Sequence, residues 1–121
     1  MQQRVMSSTA VEHAGWTFLS NHAHVLVCLA RDPDARLRDV AEWVGITERA
    51  VHRIVTELED AGVITRQREG RRNHYEIDPT ASMRHPMEAE RTVGNLLAIL
   101  LEPAEARRLG LRPPPRSRSR S

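Results

Sequence analysis

Positions 47–58 read TERAVHRIVTEL. Within them Arg49, His52, Arg53 and Thr56 fall at i, i+3, i+4 and i+7, the spacing of one helix face. Guanidinium, imidazole and hydroxyl groups in such a row are hydrogen-bond donors suited to an anionic or polar partner surface. A second ladder with the same spacing, Val51, Ile54, Val55 and Leu58, starts two residues later. At 3.6 residues per turn the two rows lie about 200° apart round the helix. If the apolar row is buried, the donor row faces out. A charged stripe opposite a core stripe is ordinary on a surface helix, so the meaning of this one depends on its neighbours.

The nearest neighbour in sequence is also basic. RQREGRR at 66–72 holds Arg66, Arg68, Arg71 and Arg72 against one glutamate. It sits between two β-prone runs, Val63-Ile64-Thr65 and His74-Tyr75-Glu76-Ile77, which predicts a hairpin with its tip at Glu69-Gly70. Strand alternation puts Arg66 and Arg68 on one face. On a solvated hairpin such charges also serve as plain edge protection.

Other chemistries find little support. His22 and His24 are two apart and point to different faces of a helix. His13, His52, His74 and His85 are scattered, so no metal site is expected. Cys28, inside VLVCLA, reads as an inert core thiol, with a redox sensor as the lesser alternative. One cysteine excludes an internal disulfide and a cysteine-based zinc cage. There is no Gly-rich phosphate loop, nucleophile motif or paired carboxylate set. Neither an enzyme nor a cofactor is expected.

The elements that must position the basic groups follow from periodicity and punctuation. WTFLSNHAHVLVCLARD (16–32) predicts a helix with Phe18, His22, Val25, Leu26 and Leu29 inward, stopped by Asp32-Pro33. DARL (34–37) suits a small edge strand. LRDVAEWVG predicts a short helix with Val40, Ala41 and Val44 inward and Gly45 in the left-handed conformation at its end. Arg36 stands where a capping side chain is expected. Thr47 caps the following helix, Glu48 suits its dipole, and Gly62 closes it. Glu57, Glu59 and Asp60 make its far end acidic. A last helix is expected from Pro86 to Leu101, stopped by Pro103, with Val93, Leu96, Leu97 and Leu100 as its apolar row. AEARRLGL is suited to one further turn.

The 121 residues suffice for one modest domain. Only 3% are aromatic, so the core must be aliphatic, with Trp16, Phe18, Trp43 and Tyr75 as large anchors. All 18 basic residues are arginine. Four lie in RPPPRSRSRS at 112–121, leaving 14 against 16 acids, a net of −2 for the rest. Any basic surface is therefore local. The tail is expected to be disordered, and residues 1–14 to form an arm. The longest apolar runs, 25–30 and 96–101, are too short to span a bilayer, and no signal-peptide core is seen. A cytoplasmic protein is expected.

Helix, short helix, turn, longer helix, basic hairpin is the order of a winged helix-turn-helix. In LRDVAEWVGITERAVHRIV, Ala41 lies four before Gly45, Val51 ten after Ala41, and Ile54 three further on. Leu58, Glu59, Gly62 and Ile64 continue the pattern as L-E-x-x-G-x-[IL]. The segment 17–78 resembles bacterial MarR-type and ArsR-type transcription regulators, and helix 86–101 resembles them loosely. The wing departs from the MarR pattern, lacking an Asp-x-Arg tip, and the Cys-x-Cys helix of metal-sensing ArsR proteins is absent.

The resemblance implies a mainly α fold with a small β-hairpin and a C-terminal dimerisation helix. Its divisions are an arm at 1–14, a DNA-binding domain at 15–80, a dimerisation region at 81–111 and the tail. It implies a homodimeric, sequence-specific regulator of double-stranded DNA, most simply a repressor. Thr47, Arg49, His52, Arg53 and Thr56 would enter the major groove, where arginine pairs with guanine O6 and N7. Arg66, Arg68, Arg71 and Arg72 would reach phosphates or a narrow minor groove. Val93, Leu96, Leu97 and Leu100 would form the dimer interface, and an unidentified effector would lie between wing domain and dimer helices. The competing reading is a winged-helix protein-interaction module without DNA binding.

Overall fold

A computed structural model describes residues 15–111. The arm at 1–14 and the tail at 112–121 lie outside the described residues. The fold is mainly helical with one antiparallel two-stranded hairpin, as in winged helix-turn-helix domains. It divides between Ile77 and Asp78 into two compact units.

In the first unit, α1 (Asn21–Arg31), α2 (Leu37–Val44) and α3 (Glu48–Asp60) precede β1 (Ile64–Glu69) and β2 (Arg72–Ile77). The periodic residues of each helix converge. Val25 and Leu29 of α1, Val40 of α2, and Val51 and Val55 of α3 are fully buried. Ala41 is buried where α2 meets α3, and its small side chain permits that close crossing. α3 also packs on α1 and β1, and α1 on β2.

Gly45 takes φ 88° between α2 and α3, which a side chain would resist, and both Gly45 and Ile46 donate their amides to the Ala41 carbonyl. The Thr47 hydroxyl then accepts the Ala50 amide at 3.0 Å. At the other end of α3, Gly62 donates to the Glu59 carbonyl at 3.0 Å and Val63 to that of Leu58 at 2.9 Å. These two bonds satisfy carbonyls that the last helical turn leaves open.

Five expectations need correction here. Helix α1 begins only at Asn21, with Ser20 at the N-cap position. Trp, Thr and Phe are mediocre helix formers, and a serine just before the apolar run marks the true start. Trp16 and Phe18 are 64% and 91% exposed and stack edge-to-face on each other at 5.0 Å. Trp43 is 41% exposed, so of the four expected aromatic anchors only Tyr75 is in the core. Residues 34–37 form no strand. Asp32 folds them into a turn, accepting the Asp34 amide on its side chain and the Ala35 amide on its carbonyl. A single strand-like bond remains there, from the Tyr75 amide to the Pro33 carbonyl.

The hairpin strands also run further than expected, pairing Ile64 with Ile77 through to Glu69 with Arg72. The turn is therefore Gly70-Arg71, with Gly70 at φ 66° in the first central position of a two-residue loop.

The second unit corrects the fifth expectation. The helix expected over 86–101 is two pieces: a 3-10 turn, Pro86–Glu88, and α4 (Val93–Leu100). Thr92 starts α4 afresh. Its hydroxyl accepts the Asn95 amide at 3.1 Å, while the Asn95 side chain accepts the Thr92 amide at 2.9 Å. This reciprocal cap satisfies two amides that a continuous helix would bond internally. The Arg91 carbonyl instead accepts the Met83 amide, and Val93 and Gly94 donate to Ala81 and Pro79. α5 (Pro103–Arg108) follows. Val93, Leu97, Leu101, Ala106 and Leu111 are buried.

Candidate nucleic-acid interface

The two ladders of α3 separate as the spacing requires. Val51, Ile54, Val55 and Leu58 are at most 8% exposed, whereas Thr47, Arg49, His52, Arg53 and Thr56 are all exposed. Arg49 makes no ion pair among the described residues. His52 approaches Glu48 one turn back at 3.4 Å. The Arg53 Nη1 lies 3.6 Å from a Glu57 oxygen, with the Arg53 side chain 62% exposed. Exposed pairs of this spacing contribute only a few tenths of a kcal/mol, so both side chains are readily redirected toward a ligand.

Glu57 is held from another direction. The same Oε1 accepts a 2.7 Å hydrogen bond from His22 Nε2 of α1. That bond, ahead of the Arg53 charge, lowers the Glu57 pKa below the usual carboxylate value. Glu59, the next acid on α3, is taken by Arg66 of β1, whose Nε and Nη2 donate to its two oxygens at 3.0 and 2.7 Å. The bond raises the Arg66 pKa further. The acidic end of α3 is thus partly neutralised from within the unit.

The four wing arginines therefore differ in availability. Arg66 lies 5.9 Å over the Tyr75 ring and is tied to α3. Arg68 shares its strand face, two residues on, and its Nε donates to the Gly70 carbonyl at 3.2 Å. Arg71 stands exposed in the turn. Arg72 reaches the Asp34 carbonyl at 3.5 Å.

Beside the turn, Arg71 and Arg72 share a cleft of about 420 Å³ with Arg36, Leu37 and Asn73. The cleft includes the start of α2, where Arg36 provides no side-chain cap. Three arginines line the cleft, offset in part by the Asp34 carboxylate, which also lines it, and by Asp39 in the first turn of α2. The missing cap is legible in the sequence and its neighbours are not, because residues 36 and 71–73 meet only through the turn at 32–35.

The imidazole of His74 was also missed. Its Nδ1 donates to Asp34 Oδ1 at 2.8 Å across forty residues of chain, and its Nε2 is 3.9 Å from Glu76. The Asp34 bond is the main cause of its raised pKa. Cys28 is 8% exposed, and burial pushes its thiol up to about 11, as for an inert core group. In the second unit, Val93 and Leu97 are interior, Leu96 and Leu100 half-buried, and Ile99 is 66% exposed.

The fold is that of a winged helix-turn-helix, with the donor row of α3 facing outward. Residues 21–65 match the family described as winged helix-turn-helix DNA-binding, a span from the first residue of α1 into β1. Comparison with curated proteins gave no match. No helix among the described residues is long and apolar enough to cross a membrane.

Proposed function

We propose that the protein is a sequence-specific transcription regulator, a repressor of the MarR- or ArsR-like kind, which binds double-stranded DNA as a homodimer. The observation that carries this reading is the outward row Thr47, Arg49, His52, Arg53 and Thr56 on a helix fixed by four buried residues. Arg49 and Arg53 suit guanine edges and phosphates, and His52 and Thr56 suit base or backbone hydrogen bonds. In the wing, Arg71 has the freest guanidinium, and with Arg72 and Arg36 it suits a backbone phosphate. The dimer contact is assigned to the outer side of α4, with Leu96, Ile99 and Leu100 as its apolar surface. Val93 and Leu97 hold that helix in place. A two-fold pair would set recognition helices about 34 Å apart, one turn of DNA.

Fluorescence anisotropy on genomic fragments over a salt series tests the reading. Arg71→Ala is expected to weaken all sequences alike and to reduce the salt slope by about one. Arg53→Ala should cost roughly 1–3 kcal/mol on the preferred site and relax its specificity. Sedimentation should give a dimer. Absence of binding to every fragment at low salt would instead favour a winged-helix module for protein partners, a reading consistent with the net acidity of the chain without its tail.

A further inference from the structure

Asp34, Glu69 and His74 come from three separate segments, the turn before α2, the end of β1, and β2. Each offers one ligand atom, and these atoms all lie within 4.8 Å of one another. The pairing of Glu69 with Arg72 and of Gln67 with His74 sets Glu69 and His74 diagonally on one hairpin face. We propose that this cluster is a binding site for a divalent first-row transition metal, with zinc the best fit, which fastens the wing to the turn before α2.

Three features separate this cluster from an incidental group of acids. The first is the imidazole, an ordinary zinc ligand, which Asp34 already orients at 2.8 Å. Ligand atoms round a tetrahedral zinc sit roughly 3.4 Å apart. Modest rotation of exposed Glu69 and Asp34 side chains closes the remaining gap, and the metal takes the place of the proton that His74 shares with Asp34.

The second feature is the partner of the other ring nitrogen. Metal-bound histidines ordinarily direct their second N–H to a carboxylate, which fixes the ring. Here Nε2 lies 3.9 Å from Glu76 Oε2, longer than a hydrogen bond but within reach of a rotation of the exposed Glu76 side chain. The third is charge. Asp34, Glu69 and Glu76 gather three negative charges round His74, against one positive charge on Arg72, which stands opposite Glu69 on the same hairpin face. A divalent ion offsets two of them. One nitrogen with carboxylate oxygens suits zinc, whereas magnesium favours all-oxygen octahedral sites with retained water.

Titration of the full chain with Co²⁺, without DNA, tests the site. One equivalent should produce the visible absorption of a four-coordinate nitrogen–oxygen site, displaced by Zn²⁺ and not by excess Mg²⁺. His74→Gln should abolish the band, with Asp34→Asn and Glu69→Gln each weakening it, and circular dichroism should show all three folded. Glu76→Gln should lower affinity by about tenfold or more through loss of the outer contact. His13→Gln, His22→Gln and His85→Gln should leave the band unchanged. Absence of any band, or a band that survives His74→Gln, overturns the proposal.

The consequence for DNA rests on the function proposed above: a fastened wing with less negative charge should bind tighter when Zn²⁺ is present, and His74→Gln should remove that response. Cobalt binding without any DNA binding would leave this site standing and remove the regulator reading. DNA binding without cobalt binding would do the reverse.

Discussion

Arg66 of β1 and Glu59 of α3 form a two-pronged pair, Nε and Nη2 donating to separate carboxylate oxygens at 3.0 and 2.7 Å. A residue that composition alone would assign to DNA is here occupied in joining β1 to the end of α3. The Arg66 side chain is 37% exposed, so solvent screening limits the contribution of the pair to about 0.5–1 kcal/mol. Arg66→Ala should therefore lower stability by that amount in urea unfolding and leave the salt slope of DNA binding near that of the unaltered protein. A slope reduced as much as by Arg71→Ala would show that Arg66 reaches phosphate after all.

Gly94, the second residue of α4, donates its amide to the Pro79 carbonyl at 2.9 Å. A Cβ there would stand 2.8 Å from that same oxygen and 2.9 Å from the Pro79 Cβ. The oxygen is backbone and cannot swing aside, so Gly94→Ala should destabilise by about 1–3 kcal/mol, as overpacking does. Thermal melting of the variant checks this. An unchanged transition would mean that the segment at 79–83 does not dock on the start of α4 as described.

Burial of Cys28 and a thiol pushed up to about 11 leave almost no thiolate at neutral pH. A disulfide reagent at pH 8 should label the native protein far more slowly than the protein in denaturant. Full labelling of the native chain within seconds would reopen the redox-sensor alternative.

The His22–Glu57 bond ties α1 to α3 and depresses the carboxylate pKa. A depressed acid stabilises the fold above its unfolded pKa and loses that contribution as pH falls through the folded value. The melting temperature of Glu57→Gln should thus fall short of the parent at pH 5–6, above the usual glutamate value of about 4.3, and the gap should close in more acid buffer. A gap that widens toward acid would contradict the assigned bond.

The first unit was legible where a local rule had one physical solution. The α3 ladder could bury only one side, Gly45 answered a turn that excludes side chains, and Thr47 had a free amide to accept. Errors arose where two local rules competed. The poor helix propensity of Trp16, Thr17 and Phe18 outweighed their apolar spacing, and Thr92 with Asn95 split a stretch whose apolar spacing alone reads as continuous. The site was half legible. The donor row follows from periodicity, but the fates of Arg66 and His74 depend on Glu59 and Asp34, partners seven and forty residues away that hairpin register and the turn at Asp32 bring near. No pattern of spacing encodes those meetings.

The shared Glu57 oxygen has a bearing on how the recognition helix could engage a ligand. When Arg53 swings toward a base or phosphate, its former carboxylate is not stranded, because His22 continues to hold it. In the proposed complex the departure of Arg53 therefore leaves Glu57 with its His22 partner, and only a weak exposed pair is given up.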